Sequence, residues 1–96
     1  MDKMTTTVCR ETLTEIAAGR QTVECREIKP YWDKRLAKVS VPFLLRMING
    51  MSAAAPEVTV EVARVVADRK QNRYEFHIAR VVAVENWDRR RERPAV

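Results

Sequence analysis

From Val41 onward the chain consists of short apolar stretches separated by turn signals, and this limits the folds open to it. Val41 to Ile48 is the most apolar run and predicts a strand, and the Asn49-Gly50 pair that follows is a strong turn signal. Ser52 to Pro56 is a connection of small residues. Val58, Val60 and Val62, joined after a shift in phase by Val65 and Val66, predict a strand over residues 58 to 67. Asp68 to Arg73 reads as a charged turn. Tyr74 to Val84, with Phe76, Ile78 and Val82 as β-formers, reads as a last strand pair or as one long bent strand.

The first forty residues have a different character. Met4 to Val8 is rich in threonine and can open a strand. Thr12-Leu13-Thr14-Glu15 has the form of a capping box, Leu13, Ile16 and Ala17 follow helical spacing, and Gly19 is a natural stop, so residues 11 to 18 predict a short helix. Gln21 to Ile28 then alternates, which predicts a strand with Val23 and Cys25 on its buried side and Thr22, Glu24 and Arg26 on a polar side. Pro30 suits the first position of a second helix, on which Tyr31, Lys34 and Arg35 share one side and Trp32 and Leu36 another. The sum is an α+β chain of five or six strands with two short helices near the N-terminus. So many short strands in so few residues predict a closed or nearly closed small mixed β-barrel.

The chain has 96 residues, which is one domain, because a split would leave pieces too small to bury a core. Residues 89–96 are expected to form a frayed basic tail. No apolar run approaches the roughly 20 residues of a membrane span, and the opening residues lack the apolar core of a signal peptide, so a cytoplasmic location is expected. There are 18 Lys and Arg against 13 Asp and Glu, a formal net charge of +5, which favours contact with a polyanion. Cys9 and Cys25 have no Cys-x-x-Cys spacing and His77 stands alone, so no metal and no cofactor are expected, and the two thiols read as small buried fillers.

Two adjacent segments carry groups that can do chemistry. On the strand, Glu24 and Arg26 are two residues apart and lie side by side. They can pair with each other, or divide a planar ligand between them, the guanidinium donating and the carboxylate accepting. Next comes Lys29-Pro30-Tyr31-Trp32-Asp33-Lys34-Arg35-Leu36, two aromatic residues flanked by three cations. Cations hold phosphates and aromatic faces stack on bases, at about 1–3 kcal/mol per base. Alternatively, Trp32 is a core plug and Tyr31 a cover for the barrel.

Gly19-Arg20-Gln21-Thr22-Val23-Glu24-Cys25-Arg26 resembles the Gly-x-Lys-x-x-Glu-x-Arg signature of the ASCH domain family. The Pro-Tyr-Trp-Asp-Lys-Arg-Leu segment that follows, the Asn49-Gly50 pair and Ala55-Pro56 resemble the small phage and bacterial members, and the resemblance covers nearly the whole chain. It implies a PUA-like β-barrel with a cleft between barrel and helices, lined by the signature strand. Members are linked to RNA binding, one branch hydrolyses the amide of N4-acetylcytidine, and ribonuclease activity is attributed to others. Gly19, Glu24 and Arg26 match the signature, whereas Gln21 stands where it has Lys. In the amidohydrolase branch that Lys, and a Thr at the place of Glu24, act as base and nucleophile. Gln is no general base, so Gln21 turns the reading toward binding and leaves Glu24 as the best catalytic candidate.

The expected role is therefore to bind RNA or a nucleotide through Arg20, Gln21, Thr22, Glu24, Arg26, Lys29, Tyr31, Trp32, Lys34 and Arg35. The alternatives are an enzyme acting on nucleic acid or a modified nucleoside, and a phage protein whose basic surface binds a host protein. His77, opposite in phase to Phe76 and Ile78, reads as a surface or structural group.

Overall fold

A computed structural model describes residues 1–88, 90–91 and 93–95. Along the chain come β1 (Lys3–Thr7), α1 (Arg10–Ala17), β2 (Val23–Glu27), α2 (Pro30–Leu36), β3 (Phe43–Ile48), β4 (Glu57–Asp68), β5 (Arg73–Glu85), β6 (Trp87–Asp88) and β7 (Arg93–Pro94). The fold is mixed α+β, mostly strand, with both helices in the first forty residues. Residues 74–84 belong to one long strand rather than a pair. The frayed tail expected over 89–96 falls partly on residues 89, 92 and 96, which lie outside the described residues, while Arg93–Pro94 pairs antiparallel with Trp87–Asp88.

The five longer strands form one sheet in the order β1-β3-β4-β5-β2, with β1 parallel to β3 and the other pairs antiparallel. The first two strands in sequence are thus the two edges, and α1 carries the chain from one to the other while α2 carries it back toward β3. Short connections can do this only if the edges approach each other. The curl comes from β4 and β5, whose pairing shifts between Thr59 and Val60, between Glu61 and Val62, and between Val62 and Arg64. Bulges of this kind bend a strand and increase its twist. The result is a strongly curled half-barrel rather than a closed one, since no backbone ladder joins β1 to β2.

Register fixes what faces the hollow. Met47 lies opposite Val58, Leu45 opposite Val60, Phe43 opposite Val62 and Met4 opposite Leu45, and all are buried. From the helices, Leu13, Ile16 and Trp32 fill the same space. Phe76 sits among them, its ring centroid 5.5 Å from that of Trp32 and 6.5 Å from that of Phe43. Each fully buried Leu, Ile or Phe contributes about 1.5–3 kcal/mol of transfer free energy, so this cluster is what holds the helices on the sheet.

The helix limits follow local chemistry, with one correction. Gly19 has φ +78, a conformation costly for other residues, and its N–H donates to the carbonyl of Ile16 while that of Arg20 donates to the carbonyl of Glu15. That pair of bonds closes the helix as a Schellman turn. Thr12 does not cap the N-terminus: the helix starts two residues earlier and its N-cap is Cys9, whose thiol meets the Thr12 hydroxyl at 3.1 Å. The Ser/Thr-x-x-Glu pattern is present, but Arg10 and Glu11 already have helical geometry, and Thr12 is left inside the first turn.

Candidate functional site

β2 turns the opposite face inward from the one its sequence predicts. Cys25 is exposed, whereas the side chains of Glu24 and Arg26 are only 13% and 22% exposed. The alternation is present, but its polar face points into the hollow: Glu24 lies opposite Phe76 and Arg26 opposite Tyr74 on β5. The physical reason is Trp32. Its indole covers this end of the hollow, and the Arg26 guanidinium lies over it, Cζ 5.4 Å from the ring centroid. An arginine can cover apolar surface with its stem and ring contact while its head finds oxygen partners. The thiols are corrected as well: both Cys9 and Cys25 are exposed, not buried fillers.

Arg26 finds those partners on the far edge of the sheet. Its Nη1 donates to Thr6 Oγ1 at 3.3 Å and its Nη2 to the Thr7 carbonyl at 2.9 Å, both on β1, with Glu24 Oε2 at 3.4 Å. The other Glu24 oxygen accepts from the Cys25 N–H at 2.9 Å. The carboxylate and guanidinium therefore pair, and the arginine also bridges the two strand edges that no ladder connects.

α2 completes the wall. Lys29 is its N-cap and Pro30 stands in its first turn. Trp32 is 6% exposed and belongs to the core, whereas Tyr31, packed edge-on against it at 5.4 Å, is 60% exposed. Of the two adjacent aromatics, only Tyr31 offers a ring to solvent. Arg35 joins the groups. Its Cζ lies 5.3 Å from the Tyr31 ring centroid and 5.2 Å from that of Trp32, Nη1 donates to the Tyr31 hydroxyl at 3.0 Å, and Nη2 donates to the Thr5 carbonyl. Thr5 and Thr7 alternate along β1, so both arginines serve the same strand edge. The helix is anchored at its other side by a hydrogen bond from the Tyr74 hydroxyl to Asp33 Oδ1. That bond is the largest influence raising the Tyr74 pKa above the usual phenol value.

The remaining expected residues are spread more widely. Arg20 pairs with Glu15, Nε to Oε2 2.6 Å, just after α1. Gln21 Nε2 donates to the Val23 carbonyl at 3.0 Å, and the exposed Thr22 accepts the Ile78 N–H through its own carbonyl. Lys29 lies 3.8 Å from Glu27, and Lys34 is exposed. His77 points away from the hollow, between Glu75 at 3.2 Å and Arg64 at 3.3 Å. What the sequence did not single out is the β1 side. Lys3, Met4, Thr5, Arg35, Lys38 and Val39 line a groove of about 380 Å³. A second groove of about 540 Å³, mostly apolar, lies on the other flank, lined by Leu36, Val39, Ser40, Val41, Phe43, Arg64, Val65, Ala67 and Tyr74. Only the pairing of β1 with β3 could have placed Lys3 near α2, and no local pattern encodes it.

Two further features mark the electrostatics. Arg46 donates to both oxygens of Glu57, at 2.9 and 2.6 Å, which holds the Glu57 carboxyl below its usual range. The Thr12 hydroxyl beside Cys9 is the largest influence lowering that thiol's pKa. No helix among the described residues is long and apolar enough to cross a membrane. Comparison of the chain with protein-family models, with curated proteins and with solved structures finds no match.

Proposed function

We propose that this chain is a PUA-like module of the ASCH type that binds RNA or a nucleotide along the wall formed by β2, α2 and the edge of β1. The observation that carries the reading is the Tyr31–Arg35 unit: an exposed aromatic ring held by a guanidinium on a basic molecule of net charge +5. A ring fixed in this way loses little freedom when a base stacks on it, and the surrounding cations answer phosphate charge. In this reading Glu24 and Arg26 shape the wall and keep Trp32 in place, and Tyr31 and Arg35 meet the ligand. Binding is favoured over hydrolysis because Gln21 supplies no base and both Glu24 oxygens accept hydrogen bonds.

The test is a titration of short labelled RNAs at increasing salt, with Tyr31→Ala in parallel. Binding is expected to weaken steeply with salt, and the variant to bind about 5- to 150-fold more weakly, the equivalent of about 1–3 kcal/mol of stacking. Salt-insensitive binding, or no binding, would sink the reading. Incubation of the same RNAs and of N4-acetylcytidine with the protein should leave both intact, and turnover lost in Glu24→Gln would favour the enzyme instead.

A further inference from the structure

Lys3, on β1, and Arg35 and Lys38, on and just after α2, bring three cations to one groove of about 380 Å³, and among the described residues no carboxylate lines it. Asp2, next to Lys3, is engaged by the Ser40 N–H, which donates to its Oδ2 at 2.9 Å. Lys3 also acts through space on Glu57, but that carboxylate is already held at both oxygens by Arg46. Like charges gathered around a concavity repel, and an anion placed there relieves the repulsion. Arg35 links the groove to Tyr31, since one guanidinium both lines the groove and donates to the Tyr31 hydroxyl.

We propose that the groove seats a backbone phosphate of single-stranded RNA while a neighbouring base stacks on Tyr31. This rests on the RNA-binding reading above and specifies its ligand. A duplex keeps its bases within the stack and gives the Tyr31 ring nothing to cover, whereas an unpaired strand offers base and phosphate together. Lys3 and Lys38 join Arg35 as the phosphate contacts, and their flexible ammonium groups supply charge without reading sequence.

The experiment is fluorescence anisotropy with a labelled uridine decamer, using the whole chain, Lys3→Ala/Lys38→Ala, and Lys70→Ala in the β4–β5 turn, outside the groove's lining, each checked for folding by circular dichroism. The decamer annealed to its complement, uridine monophosphate and uridine serve as competitors. The double variant is expected to bind roughly tenfold more weakly, with a salt slope flatter by about 1.4, and Lys70→Ala to match the parent. The monophosphate should compete better than uridine and worse than the decamer. A double variant within twofold of the parent overturns the phosphate site and leaves the RNA reading standing. A duplex that competes as well as the single strand overturns the single-strand assignment, and a monophosphate equal to the decamer makes the ligand a free nucleotide. Absence of decamer binding at low salt removes the RNA reading itself.

Discussion

Cys9 occupies the N-cap of α1, exposed, with the Thr12 hydroxyl 3.1 Å away. The neutral thiol donates to that hydroxyl; once the thiol ionises, the hydroxyl turns to donate to the sulfur and stabilises the thiolate, which is the nucleophile. Thr12→Val is therefore expected to slow alkylation of Cys9 at neutral pH by about two- to fivefold, measured by iodoacetamide labelling and peptide mass spectrometry. An unchanged rate would mean that the hydroxyl does not hold the sulfur. The position of Cys9 also shows what the sequence withholds at this scale. A capping pattern names which residue types can start a helix, but Thr12 and Cys9 compete within three residues, and the winner is set by where β1 ends. Likewise, Val23 and Cys25 looked like the inner face because they are the less polar pair. The inner face instead holds Glu24 and Arg26, because Trp32, from another element, makes that side suitable for an arginine stem.

At the scale of elements, α2 is only seven residues long and cannot stand alone. Trp32 packs it into the core, Arg35 ties it to β1, and Tyr74 on β5 donates to Asp33. The last bond gives a pH dependence whose sign is fixed. The Tyr74 pKa is raised in the folded chain, so its contribution is complete below about pH 10, the ordinary tyrosine value, and is lost as pH rises through the higher folded value. Tyr74→Phe is expected to melt at a lower temperature than the parent at pH 8, and the gap should close at alkaline pH, followed with absorbance at 295 nm to track ionisation. A gap independent of pH would show that the hydroxyl bond does not hold the helix. Both helices, the long β4–β5 hairpin and the Gly19 stop were legible from spacing and turn chemistry. The groove between β1 and α2 was not, because it is made by a parallel pairing of segments some forty residues apart.

For the whole molecule, the decisive feature is how the half-barrel ends. A closed barrel joins its first and last strands by a ladder. Here Arg26 makes the junction, reaching from β2 to Thr6 and Thr7 on β1. Arg26→Ala removes these bonds and uncovers Trp32, and is expected to cost about 1–3 kcal/mol in urea unfolding. Backbone amide exchange should quicken in β1 and β2 while the centre of β4, with Val60 and Val62 fully buried, keeps its protection. Uniform loss of protection across the sheet would show that the side chain supports the core in general rather than the junction. The barrel tendency was readable from the number of strands, but a side chain in place of a ladder has no sequence signature.

The arginines on the edge of β1 have one more consequence. An uncovered strand edge is a template on which a second molecule can add a strand, the first step toward aggregation. Arg26 and Arg35 occupy the Thr7 and Thr5 carbonyls that such a strand would need. They act as gatekeepers, and a variant without them is expected to lose colloidal solubility. Lys3 and Lys38, which hold no edge carbonyl among the bonds described, are thus the cleaner positions at which to test the proposed phosphate contact apart from self-association.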